Sequence, residues 1–539
     1  ESEPINFVVS VTPLAQAVVT YMGKDSGADR SDFLTNDGTA GRLIQGTLSA
    51  VLAEGETVQV STNGGIGWLD AMLNGDGTWS FVDQDSHKGN WEIQTRVVNS
   101  TGNSNVFSQA VTMDTVAPNT PTNIEVDRAS GTVLVSLDAA ETKVGDVVTV
   151  LWGDYAVEYG LTKSDIDAGK ASVVVPEKIK SALSDPGTVA AGLVDSAGNS
   201  SDLRYVSKRA VIDFEGMPDT VVAAGESIDV SGVRISIVTA QTIGASIGGV
   251  HSGIGSAPAN KDVSARLIVT GTVKMEFLDG EASSVSFLVG NAQMILGRYS
   301  VVFYDSKDVA LQTIVLDQGE PASSVASLAP FLVSYEASSG GGVAYMTIQP
   351  VGRATDLITI DNIVLGGEVN GVMSADSSHN VQVVSDSYYG SKGDDVFNVS
   401  SVEYFSKASS GIHGDVGLDT LKLTGGGQML DLGAMGEKLT SIEIIDLTGT
   451  GDNAINLSLK DVLNLGETNV FHENEMVQMM IKGDAGDVVN LDGLVDAADS
   501  GKWVAQGVLA LGDTNYQIYQ YSTLAAELLV QQGMQTNLV

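Results

Sequence analysis

The heptapeptide Val98-Asn-Ser-Thr-Gly-Asn-Ser104 returns as Val194-Asp-Ser-Ala-Gly-Asn-Ser200, and this recurrence decides the fold. A period of about one hundred residues, in turn-rich sequence with alternating apolar positions, is the size of a β-sandwich module. The sequence therefore predicts an all-β protein whose first two modules, residues 1–117 and 118–208, are related sandwiches. The motif does not return after residue 208, so the rest of the chain holds modules of other kinds.

Strand-like stretches separated by Gly, Asn and Asp turns fill both copies. They lie at residues 42–48, 57–61, 77–82, 89–98, 132–137 and 147–152. Alternation of apolar and polar residues predicts half-buried antiparallel strands, with Trp79, Phe81 and Trp91 in the core. The alternative for these three side chains is stacking on a sugar. Residues 162–169 predict one short helix, capped by Thr162 or Ser164.

The chain is strongly acidic, with 67 acidic and 28 basic residues and a formal charge of -39. Most of the acids are Asp, which favours turns and supplies carboxylate oxygens to calcium. This charge excludes nucleic acid as a partner, because phosphate binding needs basic stripes. The absence of Cys excludes disulfides and thiolate metal sites, and no apolar run approaches the roughly 20 residues that span a bilayer.

Residues 209–368 form the third predicted module, a ligand-binding β-sandwich. Its first and last strands, 211–216 and 357–365, each carry acids and enclose long β-rich runs, which resembles jelly-roll carbohydrate-binding modules and lectin-like sandwiches. Terminal strands lie side by side in such folds. Asp213 or Glu215 would then face Asp361, and a cation between the carboxylates would relieve their repulsion.

Two loops of the third module are candidates for ligand binding. Residues 243–256 are glycine-rich and include His251 and Ser252, but they lack the ending and the context of a phosphate loop. His251 has no second His or Cys at metal-ligand spacing. The segment Tyr304-Asp-Ser-Lys-Asp308 offers Asp305 and Asp308 as ligands; the alternative is a plain β-turn between two strands.

The first module resembles a known family. Gly46-Thr-Leu, the turn Asn74-Gly-Asp-Gly-Thr-Trp-Ser-Phe81, the heptapeptide and Val111-Thr-Met-Asp-Thr-Val-Ala-Pro118 are similar to the bacterial immunoglobulin-like repeats of giant type I-secreted adhesins. This resemblance implies an extended rod with calcium near the module junctions. It implies calcium ligands at Asp37, Asp76 and Asp114, whereas the residues alone also allow simple hairpin turns at Asp37 and Asp76.

After a predicted linker at 369–384, residues 385–539 form the last module. Gly390-Ser-Lys-Gly-Asp-Asp-Val-Phe397 and Gly414-Asp-Val-Gly-Leu-Asp-Thr-Leu421 resemble calcium-binding RTX nonapeptides, with two departures at Ser391 and Asp415. The resemblance implies calcium at Asp394, Asp395, Asp415 and Asp419. Short apolar strands predict a β-roll or solenoid, and the segment order looks like the C-terminus of RTX/BapA/SiiE-like adhesins, which implies a type I secretion signal.

Together these features predict a calcium-stabilised bacterial adhesin, secreted to the cell surface, monomeric, and bound to a glycan or peptide on a host or biofilm surface through residues 209–368. Calcium is the expected cofactor and the type I secretion machinery an expected partner. No catalytic residues are assigned, because the zinc motif His-Glu-x-x-His and the serine nucleophile elbow are absent. The alternatives are a secreted calcium-dependent hydrolase and a matrix protein without a ligand.

Overall fold

A computed structural model describes residues 14–27, 29–209, 211–212, 214, 220–239, 245–247, 267–269, 271–291, 298–317, 331–337, 342–351, 358–374, 378–449, 451–492 and 501–538. The chain divides into two compact units. One comprises Glu1–Tyr205 together with Val372–Val539, and the other comprises Val206–Gly371. Strands dominate both units, which confirms the all-β fold class with tandem sandwiches. Among the described residues, no helix has the length and apolar character needed to cross a bilayer.

The first module is a two-sheet sandwich. Its strands are β1 (Ala17–Met22), β2 (Leu34–Thr35), β3 (Arg42–Leu48), β4 (Thr57–Ser61), β5 (Leu69–Asp70), β6 (Met72–Leu73), β7 (Thr78–Asp83), β8 (Trp91–Asn99), β9 (Gly102–Asn103) and β10 (Phe107–Met113). One sheet has the order β1-β3-β7-β6, and the other β2-β10-β8-β4-β5 with β9 on β8. Trp79, Phe81 and Trp91 are buried between the sheets, as predicted.

The second module has the same β-rich character with two short helices. Its elements are β11 (Asn123–Asp127), β12 (Thr132–Ser136), β13 (Val147–Trp152), β14 (Tyr155–Gly160), α1 (Lys163–Ala168), β15 (Lys170–Val174), α2 (Glu177–Ala182), β16 (Thr188–Val194) and β17 (Leu203–Lys208). The strand orders are β11-β12-β15 and β14-β13-β16-β17. Thr162 caps α1 in a capping box, which confirms the predicted helix.

The repeated heptapeptide makes the same local structure in both modules. Ser104 donates its N–H to Val97 O at 2.7 Å and accepts the Val97 N–H on its hydroxyl oxygen at 2.9 Å. Ser201 does the same with Leu193, at 2.9 Å for both bonds. The structural equivalent of Ser104 is thus Ser201 and not Ser200, so the second turn is longer by one residue.

The unit Val206–Gly371 is a sandwich of two antiparallel sheets. Its strands are β18 (Val211–Ile212), β19 (Thr220–Val222), β20 (Ser227–Val230), β21 (Val233–Thr239), β22 (Ala245–Ile247), β23 (Leu267–Val269), β24 (Thr272–Phe277), β25 (Ser284–Asn291), β26 (Arg298–Tyr304), β27 (Ala310–Asp317), β28 (Phe331–Glu336), β29 (Tyr345–Val351) and β30 (Ile358–Leu365). The next strand in the chain, β31 (Glu368–Met373), belongs to neither sheet of this sandwich. One sheet has the order β19-β22-β23-β30-β25-β28, and the other β20-β21-β24-β29-β26-β27. The predicted pairing of terminal strands is confirmed, because β18 pairs with β30.

The C-terminal module is a parallel solenoid. Its elements are β32 (Ser378–Val381), β33 (Tyr388–Tyr389), β34 (Val396–Val399), β35 (Ile412–His413), β36 (Thr420–Leu423), β37 (Met429–Asp431), α3 (Leu432–Met435), β38 (Leu439–Thr440), β39 (Ile444–Asp446), β40 (Ala454–Ser458), α4 (Leu459–Leu465), β41 (Glu467–Thr468), β42 (Val477–Lys482), β43 (Val488–Asp492), β44 (Trp503–Leu511), β45 (Thr514–Tyr521), β46 (Ala526–Gln531) and β47 (Gln535–Leu538), with 3₁₀ turns at Val402–Ser406 and Gly436–Lys438.

Successive rungs of the solenoid stack in parallel along three sheets. Their orders are β32-β34-β36-β39-β42-β46, β33-β35-β38 and β37-β40-β43-β47, and the antiparallel hairpin β45-β44 extends the first. A Cβ at Gly390 or Gly414 would lie 2.3 Å or 2.0 Å from a carbonyl oxygen of the next rung, so the stack requires glycine there. Part of the segment predicted as a linker, 369–384, is strand β32 of this stack.

The solenoid and the first two modules share one hydrophobic core. This core contains Leu43 of β3, Val82 of β7 and Ala156 of β14 together with solenoid residues such as Val462 of α4. Hydrogen bonds accompany the packing: Tyr388 donates its hydroxyl to Asp154 O at 2.6 Å. In this unit the two sandwiches are therefore packed against the solenoid.

Candidate functional site

In the unit Val206–Gly371, which we call the middle unit, the outer face of the sheet β20-β21-β24-β29-β26-β27 carries polar and aromatic side chains. Alternate residues of its strands, such as Ile235, Met275, Met346 and Phe303, are buried in the sandwich core. Because successive side chains of a strand point to opposite faces, the residues between them point outward. The inward positions build the fold, and the outward positions are available for binding.

Five outward residues form a row across five strands. Asp229 pairs in register with Arg234, Arg234 with Glu276, Glu276 with Tyr345, and Tyr345 with Tyr304. Each residue comes from a different strand, in the order β20, β21, β24, β29 and β26. We call these five residues the transverse row.

Two tyrosines end the transverse row and stack on each other. The ring centroids of Tyr304 and Tyr345 are 4.6 Å apart with an interplanar angle of 10°. Lys274 places its Nζ 4.2 Å from the centroid of the Tyr345 ring. Tyr345 also donates its hydroxyl to Asp308 Oδ1 at 3.0 Å, and burial together with this carboxylate raises the pKa of Tyr345 to about 12. The ring is therefore held from both its edge and its face.

The predicted ligand residues Asp305 and Asp308 form the turn that supports these rings. Asp305 Oδ1 accepts the backbone N–H groups of Lys307 and Val309 at 2.9 and 2.8 Å, which closes the turn between β26 and β27. Asp308 has a φ of 62°, a left-handed conformation that Asp tolerates. Asp305 thus has the role expected of a plain β-turn residue, which was the alternative to ligand binding. Asp308 instead positions Tyr345 through the hydrogen bond to its hydroxyl.

The charged groups of the face are paired with each other. Arg234 donates from Nε and Nη2 to the two carboxylate oxygens of Asp229, both at 2.8 Å, in a bidentate pair. Lys274 Nζ lies 2.7 Å from Glu276 Oε1. These side chains are between 30% and 49% exposed. The face therefore offers fixed donors and acceptors with little unpaired charge.

Four of the residues predicted as ligands in the middle unit lie outside the described residues: Asp213, Glu215, His251 and Ser252. Asp361 is opposite Leu288 in the pairing of β30 with β25, and its Oδ1 accepts the Asn362 N–H at 2.8 Å. The cation site predicted between the terminal strands therefore stays a prediction.

Asp37 and Asp76 have different surroundings in the first module. Burial opposes ionisation of Asp37, but Lys24, Arg42 and two hydrogen bonds from Thr39 together hold its pKa below the usual value. Asp76 lies in an exposed turn and accepts hydrogen bonds from the N–H and hydroxyl of Thr78, at 2.9 and 2.6 Å. Both carboxylates thus stabilise local turns.

Asp114 interacts with two acids that were not predicted as ligands, Asp146 and Asp195. It raises the pKa of both Asp146 and Asp195, in each case after burial as the larger cause. Asp146 is 1% exposed, and its Oδ1 is buried without a hydrogen-bond partner. Asp195 raises the pKa of Asp415 in turn, although burial is again the main reason that the pKa reaches about 6. We call Asp114, Asp146, Asp195 and Asp415 the junction acids.

Of the four acids predicted in the RTX-like repeats, the structure brings Asp395 and Asp419 together in the solenoid. Asp395 donates its N–H to Asp419 Oδ1 at 2.8 Å, and Asp419 donates its N–H to Glu443 Oε2 at 2.9 Å. Burial raises the pKa of Asp419 to about 9 and that of Glu443 to about 8. Asp394 is exposed and accepts the Leu418 N–H at 2.9 Å. Asp395, Asp419 and Glu443 form the acid ladder.

The predicted metal ligands do not converge on one point. In the part of the chain that the structure describes, no group of three or more His, Asp or Glu side chains is arranged to hold a metal ion. Asp415 instead accepts hydrogen bonds from Asn36 Nδ2 at 3.1 Å and Ser200 N at 3.5 Å. The junction acids and the acid ladder thus use their oxygens within the protein, apart from a few orphaned atoms.

Sequence reasoning missed the central residues of both sites. Tyr345 stands alone between apolar residues, Asp146 directly precedes the ordinary strand β13, and Asp195 directly follows β16. The sequence did hold a signal for Tyr304, because this residue directly precedes the turn 305–308 that was singled out as a candidate site. A different signal marked Asp195, because the second heptapeptide has an acid at the position of Asn99.

Comparison with solved structures gives only distant similarity. The chain is 13% identical to a structure of a 1.5-MDa bacterial ice-binding adhesin, covering 63% of this chain and 98% of that one, with a TM-score of 0.21. It is 15% identical to a cleaved adhesin domain of Lys-gingipain from Porphyromonas gingivalis, covering 30% and 100%, with a TM-score of 0.18. It is 14% identical to a family 29 carbohydrate-binding module, covering 28% and 92%, with a TM-score of 0.17.

No curated protein matches the chain. The family comparison agrees with the fold of the first module, whose two sheets pack around Trp79. Residues 13–115 match the family model described as bacterial Ig-like domain.

Proposed function

We propose that the protein is a non-catalytic, adhesin-like surface protein that binds a glycan through the transverse row of its middle unit. The stacked pair Tyr304–Tyr345 on an exposed sheet face carries this proposal. Aromatic rings offer rigid apolar area at low entropic cost, and the adjacent paired charges offer hydrogen bonds to hydroxyl groups. The match of residues 13–115 to the bacterial Ig-like domain model supports a role outside the cell.

Glycan and peptide arrays probed with the full chain test this proposal. We expect binding to glycans, and loss of that binding in Tyr304→Ala and Tyr345→Ala. Binding to peptides alone would contradict the glycan assignment. Binding to neither array would favour a structural matrix protein, and turnover of a polysaccharide or ester panel would favour a hydrolase.

We further propose that calcium stabilises the unit that contains the solenoid, at the junction acids. Calcium binds 6–8 oxygens, and carboxylates are its preferred protein ligands. The orphaned Asp146 Oδ1 and the orphaned Ser200 Oγ are buried oxygens beside these acids that a cation would satisfy. Binding requires the junction acids to move closer together than they are in this structure.

Chelation tests the calcium proposal. Calcium should raise the melting temperature of the full chain, because a ligand that binds the folded state alone stabilises it. Asp146→Asn should reduce this increase, whereas the exposed Asp76→Asn should not. Equal melting curves with chelator and with calcium would contradict the proposal.

Export is the last part of the proposal: residues 385–539 direct the chain to the type I secretion machinery. The resemblance of the RTX-like segments supports this. Deletion of these residues should abolish appearance of the protein outside a host cell that carries such machinery. Continued export of the truncated chain would contradict it.

A further inference from the structure

The transverse row has a definite length and direction. Neighbouring strands lie about 4.8 Å apart, so side chains on five adjacent strands span about 19 Å perpendicular to the strands. The register pairs that define the row carry no bulge between Asp229 and Tyr304. The row is thus a continuous line of side chains that an extended molecule can follow.

The row is electrically balanced although the chain is not. Arg234 is neutralised by Asp229, and the adjacent Lys274 by Glu276. The whole chain carries a formal charge of -39. An anionic polymer would be repelled by the chain as a whole and would meet no free cation on the row. A cationic ligand would have to displace Arg234 or Lys274 from their partners.

The polar groups of the row are donors and acceptors in alternation. Asp229 and Glu276 accept, Arg234 donates, and all three are held by their ion pairs. A hydroxyl group both donates and accepts one hydrogen bond or more, so a polyol satisfies such an alternation without changing its charge. Tyr304 and Tyr345 provide the apolar contact at one end of the row.

Taking the glycan-binding function proposed above as given, we infer that the ligand is an extended neutral oligosaccharide lying across the strands. One sugar ring contacts the stacked Tyr304–Tyr345 pair without separating the two rings, and the hydroxyl groups of the following sugars bond to Glu276, Arg234 and Asp229. Charged glycans are the competing ligands, and the experiment below separates them from neutral ones.

Calorimetric titration of the full chain with a neutral oligosaccharide series of increasing length tests the inference. Affinity should rise with length and then level off when the row is covered. Sulfated and uronic-acid oligomers of the same lengths should bind about tenfold more weakly, and salt should have little effect on the neutral series.

Matched variants locate the ligand on the row. Tyr345→Ala changes the tyrosine end of the row and Asp229→Asn changes the other end. Each substitution should lower the affinity for the longest neutral oligomer about tenfold. Asp229→Asn should not change the affinity for the shortest oligomer that still binds, because that oligomer occupies only the tyrosine end of the row. Gln349→Ala alters an exposed side chain of β29 outside the row and should not change the affinity for any oligomer. Tyr345→Phe keeps the ring and should retain most of the affinity, which guards against misfolding of the alanine variant.

Two results would overturn the inference while the proposed function survives. One is tighter, salt-dependent binding of the charged oligomers that still needs Tyr345. The other is full affinity for the shortest oligomer, with no effect of Asp229→Asn at any length. If no glycan binds, or if Tyr304→Ala and Tyr345→Ala leave binding intact, the proposed function fails as well.

Discussion

Arg42 is a fully buried cation in the first module. Its Nη2 donates to Asp37 O at 2.6 Å, its Nη1 lies 3.8 Å from Asp83 Oδ2, and its guanidinium lies 4.8 Å from the centroid of the Trp91 ring. Arg42→Met should lower the free energy of unfolding by about 3–5 kcal/mol, because Asp83 is left with less compensation in a buried site. Denaturant unfolding measures the change.

An exposed ion pair provides the control for Arg42. Lys163 and Asp167 are 79% and 63% exposed, and Lys163→Ala should change the free energy of unfolding by less than about 1 kcal/mol. Equal effects of the two substitutions would contradict the role assigned to Arg42.

The acid ladder makes stability depend on pH. The pKa values of Asp419, about 9, and Glu443, about 8, lie above those of unfolded chains, near 4. The folded state therefore holds more protons, and its stability should fall as pH rises from about 4 to about 9. Urea unfolding in chelator measures this slope. Asp419→Asn should flatten it, and Asp76→Asn should not; a stability that rises over this range would contradict the assignment.

Single residues explain why the sites were harder to predict than the core. Trp79 was predictable because burial follows from alternation within one strand. The transverse row combines one residue from each of five strands, so no pattern within a single stretch of sequence predicts it. Burial is the main cause of the raised pKa of Asp146, and Asp114, which belongs to another module, adds to it.

At the level of elements, an asparagine ladder supports one sheet of the solenoid. Asn490 on β43 donates to Asn456 Oδ1 on β40, and Asn537 on β47 donates to Asn490 Oδ1, both at 2.8 Å. Asn490→Ala removes both bonds and should cost about 1–3 kcal/mol. Asn537→Ala removes one bond of the ladder and should cost about half as much. Urea unfolding measures the free energy of unfolding of both variants. A loss for Asn537→Ala that equals or exceeds the loss for Asn490→Ala would contradict the ladder.

Whole elements were predicted well where the chain alternates in hydrophobicity. The predicted strands 42–48, 57–61 and 147–152 coincide with β3, β4 and β13. The solenoid was predicted as a class, but its rung order was not, because insertions such as α4 interrupt the spacing of its strands. The glycine motifs indicated the stack through Gly390 and Gly414, whose missing Cβ atoms allow close rungs.

At the scale of the whole molecule, the middle unit has a hydrophobic core of its own. Phe287 is fully buried in this core, whose described members all belong to Val206–Gly371. Phe287→Ala should cost about 3–5 kcal/mol in that unit. We expect calorimetry to show two unfolding transitions, of which this substitution lowers one. A parallel shift of both would contradict independent unfolding.

The core shared by Leu43, Ala156 and the solenoid has a consequence for folding kinetics. Its early members leave the ribosome hundreds of residues before strands such as β42 and β46 that complete it. Contacts between such distant positions slow folding. Until the later solenoid strands are synthesised, the nascent sandwiches expose the apolar surface that those strands will cover. Synthesis of the last strands is thus the step that commits the first module to its final packing, and chaperones that shield β3 should bind chains stalled before β42.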